Sequence, residues 1–164
     1  MIPEAHLQSA CCDLIADVAR SQGKVHLKVA GASMVPALWP GDVVTVRRCE
    51  PGELRAGSII VFRQNQRLVV HRLMHWREGC VVTRGDSHPC LDLPTPGGDV
   101  IGRVESIERD GREVSSRISF RQSVVGFILR RSRRATWHYM RAANWMRRFE
   151  RGGSAEPGIP QALG

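Results

Sequence analysis

At residues 31–42 the chain reads GASMVPALWPGD. Ser33 stands there beside Met34, between a glycine and a proline, where the short alternating run VHLKVAG (25–31) gives out. Clusters of Gly, Ser, Pro and Asp end strands, so one reading of Ser33 is a turn residue. The other is a nucleophile, and a serine hydroxyl is inert until a neighbouring base takes its proton. The rest of the chain must supply that base, and usually a third group to orient it.

Lysine is a poor candidate. The chain has only Lys24 and Lys28, both ahead of Ser33. If the strand is extended, Lys28 is roughly 16 Å from the serine. Every later basic side chain apart from histidine is arginine, which stays protonated at neutral pH. Activation therefore falls to histidine. Of the six histidines, His71 lies in the apolar strand LVVHRLM, where an ionisable group needs a purpose. A structural histidine, bonded and inert, is the competing reading. His75 is expected on the same face, about 13 Å farther along an unbroken strand. His88 lies in the polar turn TRGDSHPCLD with Asp86 and Asp92, where a carboxylate can orient an imidazole. His6, His26 and His138 have less suitable surroundings.

Outside this stretch the pattern is mainly β. Residues 4–22 place Leu7, Cys11, Leu14, Ile15 and Val18 at helical spacing, and Gly23 ends the run. From 25 to 119 the chain becomes short β-branched runs separated by Gly, Pro and Asp: DVVTVRR, SIIVF, RLVVHRLMHW, CVVTRGD, VIGRVESIE and REVSSRI. Such a series predicts a barrel or sandwich. ERDGRE predicts a hairpin, because Asp-Gly tolerates the positive φ of a tight turn. Helical character returns over 120–151, and residues 152–164 are expected to be disordered.

At 164 residues the length suits one domain with its own core. Five cysteines without metal-ligand spacing fit a reduced compartment better than a disulfide framework. The N-terminus carries acids and no long apolar run, which argues against a signal peptide, and no apolar run approaches the roughly 20 residues of a spanning helix. A cytoplasmic or peripherally membrane-associated protein is expected. The net charge of +8 is unevenly placed, for residues 120–151 hold nine arginines against one acid, Glu150, and elsewhere the charges cancel.

The segments GASMVPALWPGDVVTV, AGSIIVF, VVHRL, VTRGDSHPCLD and VIGRV, in that order, resemble the successive boxes of the type I signal peptidase family. The resemblance is closest to the branch of archaea, the endoplasmic reticulum and some Gram-positive bacteria, which uses histidine where most bacterial enzymes use lysine. It covers about residues 25–108. The S-M-x-P…G-D box alone is shared with repressors that cleave themselves in DNA-damage responses. The resemblance implies a β-rich serine peptidase with a signal-peptidase-like barrel or sandwich flanked by helices. It implies Ser33 as nucleophile, His71 as general base and Asp92 as the acid orienting it, with no metal or cofactor. Asp86 matches a second acidic position that holds the turn in shape. Met34 belongs to the nucleophile box, and Pro36, Gly41 and Asp42 match positions that shape its loop. A plain turn role is expected for Asp42, and packing for Cys90. The Ser33 N–H would be one oxyanion donor.

Three departures bear on function. Gly31 stands where many relatives place a serine whose hydroxyl helps bind the oxyanion. Ser58 stands where relatives often have aspartate. A short amphipathic helix is expected where the family usually carries its amino-terminal membrane anchor, which bears on secretory signal-peptide removal but not on peptidase chemistry. The expected partner is an extended precursor peptide with small side chains before the cut. Residues 120–151 intersperse arginines with Trp137, Tyr139, Trp145 and Phe149, a composition suited to folding back on the domain, to an anionic membrane surface or, less well, to nucleic acid. The alternative function is a catalytically silent or self-cleaving regulator with a basic binding tail. The one helix before Ser33 argues against a helix-turn-helix repressor.

Overall fold

The computed structural model describes residues 4–114. The expected helical tail (120–151), its partners and the disordered end (152–164) lie outside the described residues. Within them, helix α1 (Glu4–Gln22) precedes eight strands: β1 (Lys24–Lys28), β2 (Val43–Arg47), β3 (Ile59–Gln64), β4 (Arg67–Arg77), β5 (Cys80–Arg84), β6 (Thr95–Pro96), β7 (Val100–Arg109) and β8 (Arg112–Val114). They form one curled antiparallel sheet in the order β1-β2-β7-β3-β4-β5-β6, with β8 added to β7. The mainly β expectation holds. Among the described residues, no helix is long and apolar enough to cross a membrane.

Local chemistry accounts for the hairpins. The β3–β4, β4–β5 and β7–β8 connections are two residues long: Asn65-Gln66, Glu78-Gly79 and Asp110-Gly111. Both residues of each have positive φ, the geometry whose twist matches that of the flanking strands. The Asp-Gly pair was legible in the sequence. Asn65-Gln66 and Glu78-Gly79 were not singled out.

The run IIVF has no polar alternation because β3 is buried on both faces. Ile59 and Val61 join the larger core with Val29, Met34, Ala37, Leu38, Val44, Val46, Val104 and Ile107. Ile60 and Phe62 point the other way, into a smaller cluster with Leu73 and Val81. Each such side chain, fully buried, contributes about 1.5–3 kcal/mol. The larger cluster roots the loop that carries Ser33, and the smaller one borders His71.

Two expectations about faces are corrected. Among the described side chains of α1, Cys12 and Ala19 are buried and Ile15 and Val18 half-buried, while Cys11 and Leu14 are exposed. Cys12 and Ala19 are small and allow close approach to the sheet. There the Cys12 thiol donates to the Gln66 carbonyl and Asp13 pairs with Arg63 of β3. On β4, pairing slips between Leu73, opposite Thr83, and His75, opposite Val82. This bulge at Met74 resets the alternation, so His75 comes out on the face opposite His71 and is exposed.

Candidate active site

The loop between β1 and β2 is built around its apolar residues. Met34, Val35, Leu38 and Trp39 are buried, and Ser33 at the loop's edge is half-buried. Both ends are closed by backbone bonds: Val29 N–H donates to the Asp42 carbonyl at 2.8 Å, and Gly41 N–H to the Val29 carbonyl at 2.8 Å. Gly41 turns the chain there with φ +97°, a conformation that favours glycine. The Val35–Pro36 peptide is cis, and the Pro36 carbonyl accepts from the Trp39 indole N–H at 3.1 Å. Gly31 is exposed at the loop entrance.

Asp42 is more than the turn residue the sequence predicts. It is 1% exposed and accepts from the Trp39 N–H at 2.7 Å. From β7, Arg109 donates to both carboxylate oxygens, at 2.8 and 2.7 Å, and to the Ala37 carbonyl at 3.3 Å. The pair ties the Ser33 loop to a strand far along the chain.

On β4, opposite Ile60 of β3, His71 is buried and reaches Ser33. Its Nε2 lies 2.9 Å from Ser33 Oγ, and its Nδ1 lies 2.6 Å from Asp92 Oδ2. An ionised carboxylate can only accept, so Nδ1 carries the proton and Nε2 offers its lone pair to the hydroxyl. Asp92 is steadied in turn, since Thr83 Oγ1 donates to the same Oδ2 at 2.6 Å and the Asp92 N–H donates to the Thr83 carbonyl at 2.9 Å. An imidazole held this way can accept a hydroxyl proton and return it to a leaving group.

His88, the competing histidine, is exposed and stands edge-on to His71 with ring centroids 5.6 Å apart. Asp86 pairs with Arg72, the residue after His71 on β4. Its two oxygens accept from Arg72 at 2.8 and 2.7 Å, and Arg72 also donates to the Gly57 carbonyl at 2.6 Å. This buried pair ties the turn that carries Asp86 to β4. Cys90 is exposed, so the packing role expected for it is corrected. The turn projects Cys90 outward once Asp86 and Asp92 have turned in. The five cysteines are free thiols.

Sequence reasoning missed five residues. Thr83 and Arg72 lie beside quoted motif positions and were open to notice. Ser87, next to Asp86, donates through both its N–H and its hydroxyl to the Ser33 carbonyl, each at 2.9 Å. Gly85 is pressed so close that a Cβ there would sit 2.7 Å from the Ser33 carbonyl oxygen and 3.2 Å from His71 Nε2. Arg109 gave no sequence signal, being separated from Asp42 by 67 positions. Among the described residues, no group of three or more His, Cys, Asp or Glu side chains is placed to share a metal ion.

A comparison with curated proteins returns no match. A family model does match, over residues 3–93, a span that contains α1 and the Ser33, His71 and Asp92 positions. More than half of the chain is covered, and the chain therefore belongs to the Peptidase S24-like family of serine-type peptidases.

Proposed function

We propose that the protein is a serine endopeptidase that cuts an extended precursor or signal-like peptide, with Ser33 as nucleophile, His71 as general base and Asp92 as the group that orients His71. The observation that carries this reading is the continuous hydrogen-bonded chain from Ser33 Oγ through both ring nitrogens of His71 to Asp92. His71 Nε2 takes the hydroxyl proton as Ser33 Oγ bonds to the scissile carbonyl carbon, whose π electrons move onto its oxygen. The Ser33 N–H is the backbone donor for that oxyanion. Collapse breaks the C–N bond, and the protonated imidazole gives its proton to the departing amine. Water then attacks the acyl ester by the same route, releasing a carboxylic acid and restoring Ser33.

The substrate class follows from the signal-peptidase resemblance: small side chains just before the cut, in an extended strand. The S-M-x-P…G-D box is shared with self-cleaving repressors, so self-cleavage is the competing outcome. Incubation of the protein with peptides of that kind, beside a fluorophosphonate that labels active serines, tests the reading. Labelling of Ser33 and cleavage in proportion to enzyme concentration support it. First-order loss of the protein's own chain, independent of its concentration, supports the self-cleaving regulator. No labelling and no cleavage of any kind overturn both.

For residues 120–151 we infer an anionic lipid surface as partner, from the nine arginines interleaved with aromatic side chains. Vesicle co-sedimentation of the full chain should weaken with salt yet keep an apolar, salt-resistant part. Binding to duplex DNA that falls log-linearly with salt would point to nucleic acid instead.

A further inference from the structure

We infer that Ser87 is a positioning residue for the oxyanion donor: its hydroxyl holds the peptide plane that carries the Ser33 N–H. The inference rests on the peptidase reading above. Ser87 is buried, and its one hydroxyl proton is shared between the Ser33 carbonyl at 2.9 Å and the Ala32 carbonyl at 3.2 Å, the latter also accepting from the Val35 N–H at 3.1 Å. Its own N–H donates to the Ser33 carbonyl as well, at 2.9 Å. One side chain and its amide thus grip the two carbonyls that flank the Ser33 N and Cα.

The consequence follows from peptide geometry. Among the described residues the cis bond is Val35–Pro36, so the peptide units on either side of Ser33 are trans. In a planar trans unit the C=O and N–H point in opposite directions. Drawing the Ala32 carbonyl toward Ser87 therefore aims the Ser33 N–H away from it. Fixing the next carbonyl as well sets both soft dihedrals of Ser33, and with them the direction from which Oγ leaves the backbone. Gly31 has no side chain with which to add a second donor nearby, so the direction of this backbone N–H matters the more. Glycine at 85 is part of the same device, because the contact that brings Ser87 to these carbonyls leaves no room for a Cβ.

Ser87→Ala and Ser87→Thr in the full chain test the inference with three readings. The first is kcat and KM on a cleaved peptide. The second is the affinity of a peptide aldehyde, whose adduct bears the oxyanion, against that of the uncleaved peptide on a Ser33→Ala background. The third is the residual dipolar coupling of the Ser33 amide, which reports the N–H direction without substrate. Ser87→Ala should lower kcat by roughly 10- to 100-fold, below the full loss of an oxyanion donor. KM and uncleaved-peptide affinity should hold, aldehyde affinity should fall, and the coupling should change, with Ser87→Thr restoring all of these. A merely structural role would not separate aldehyde from peptide. If Ser87→Ala does not fold, Ser87→Cys, which keeps the shape with a weaker donor, takes its place. An unchanged coupling overturns the inference whatever the activity, and a changed coupling with unchanged kcat overturns it too. Failure of the peptidase reading shows separately, as a wild-type protein inert to peptide and fluorophosphonate, and the coupling still decides whether Ser87 holds the plane.

Discussion

Ser33 Oγ and His71 Nε2 lie 2.9 Å apart although 38 positions separate them in the chain. Each is fixed by its own support. Ser33 rides on a loop rooted in the core by Met34 and Leu38, and His71 is held by its register opposite Ile60 on a strand buried on both faces. Neither atom depends on the other for its place. Ser33→Ala should therefore remove one hydrogen bond, with a stability change of about 1 kcal/mol or less, while peptide cleavage falls by about 1,000-fold or more. Thermal melts beside a cleavage assay check this, and full turnover by a folded Ser33→Ala protein would remove Ser33 from the mechanism.

The two histidines separate by variant. His71→Ala should be inactive, whereas His88→Ala, exposed and edge-on to His71, should lose no more than about half a decade in kcat/KM. Asp92→Asn presents an amide where Nδ1–H needs an acceptor, and should cost at least about 100-fold in kcat. An inactive His88→Ala beside an active His71→Ala would reverse the assignment.

Two buried ion pairs should dominate the stability of the site. Asp86→Ala leaves the Arg72 guanidinium buried without its bidentate partner, and Arg109→Ala does the same to the Asp42 carboxylate. Each should destabilise by about 3–5 kcal/mol, read as a shift of the denaturation midpoint in urea. Arg77→Ala, which breaks an exposed pair with Glu78, should change the midpoint little. Equal midpoints for all three variants would refute the ranking.

Thiol reactivity should divide the cysteines. Burial pushes the Cys12 and Cys49 thiols up from their ordinary range, outweighing the arginines nearby. A raised thiol holds its proton at neutral pH, so the reactive thiolate is scarce there and grows only as the solution becomes alkaline. Iodoacetamide at neutral pH should label the exposed Cys11 and Cys90 first, with Cys12 and Cys49 following at alkaline pH or on unfolding. Peptide mass mapping over a pH series reads the order, and early modification of Cys12 in the native protein would contradict it.

What the sequence determined by itself was the kind of chain and the identity of the groups that meet. Alternation, β-branched runs and the Asp-Gly turn encode strands through local sterics. The lack of lysine after Ser33 left histidine as the base by protonation chemistry alone. Tertiary structure decided what depends on distance across the sheet. It chose His71 over His88 as the ring that bridges Ser33 and Asp92, with contacts of 2.9 and 2.6 Å. It turned His75 away, since one bulged residue reverses a two-residue period. It also converted Asp42 from a turn residue into the anchor of Arg109, and brought Ser87 onto the Ser33 carbonyl. Those partners are set by how strands align, and local preference carries no record of a partner that lies more than 50 positions away.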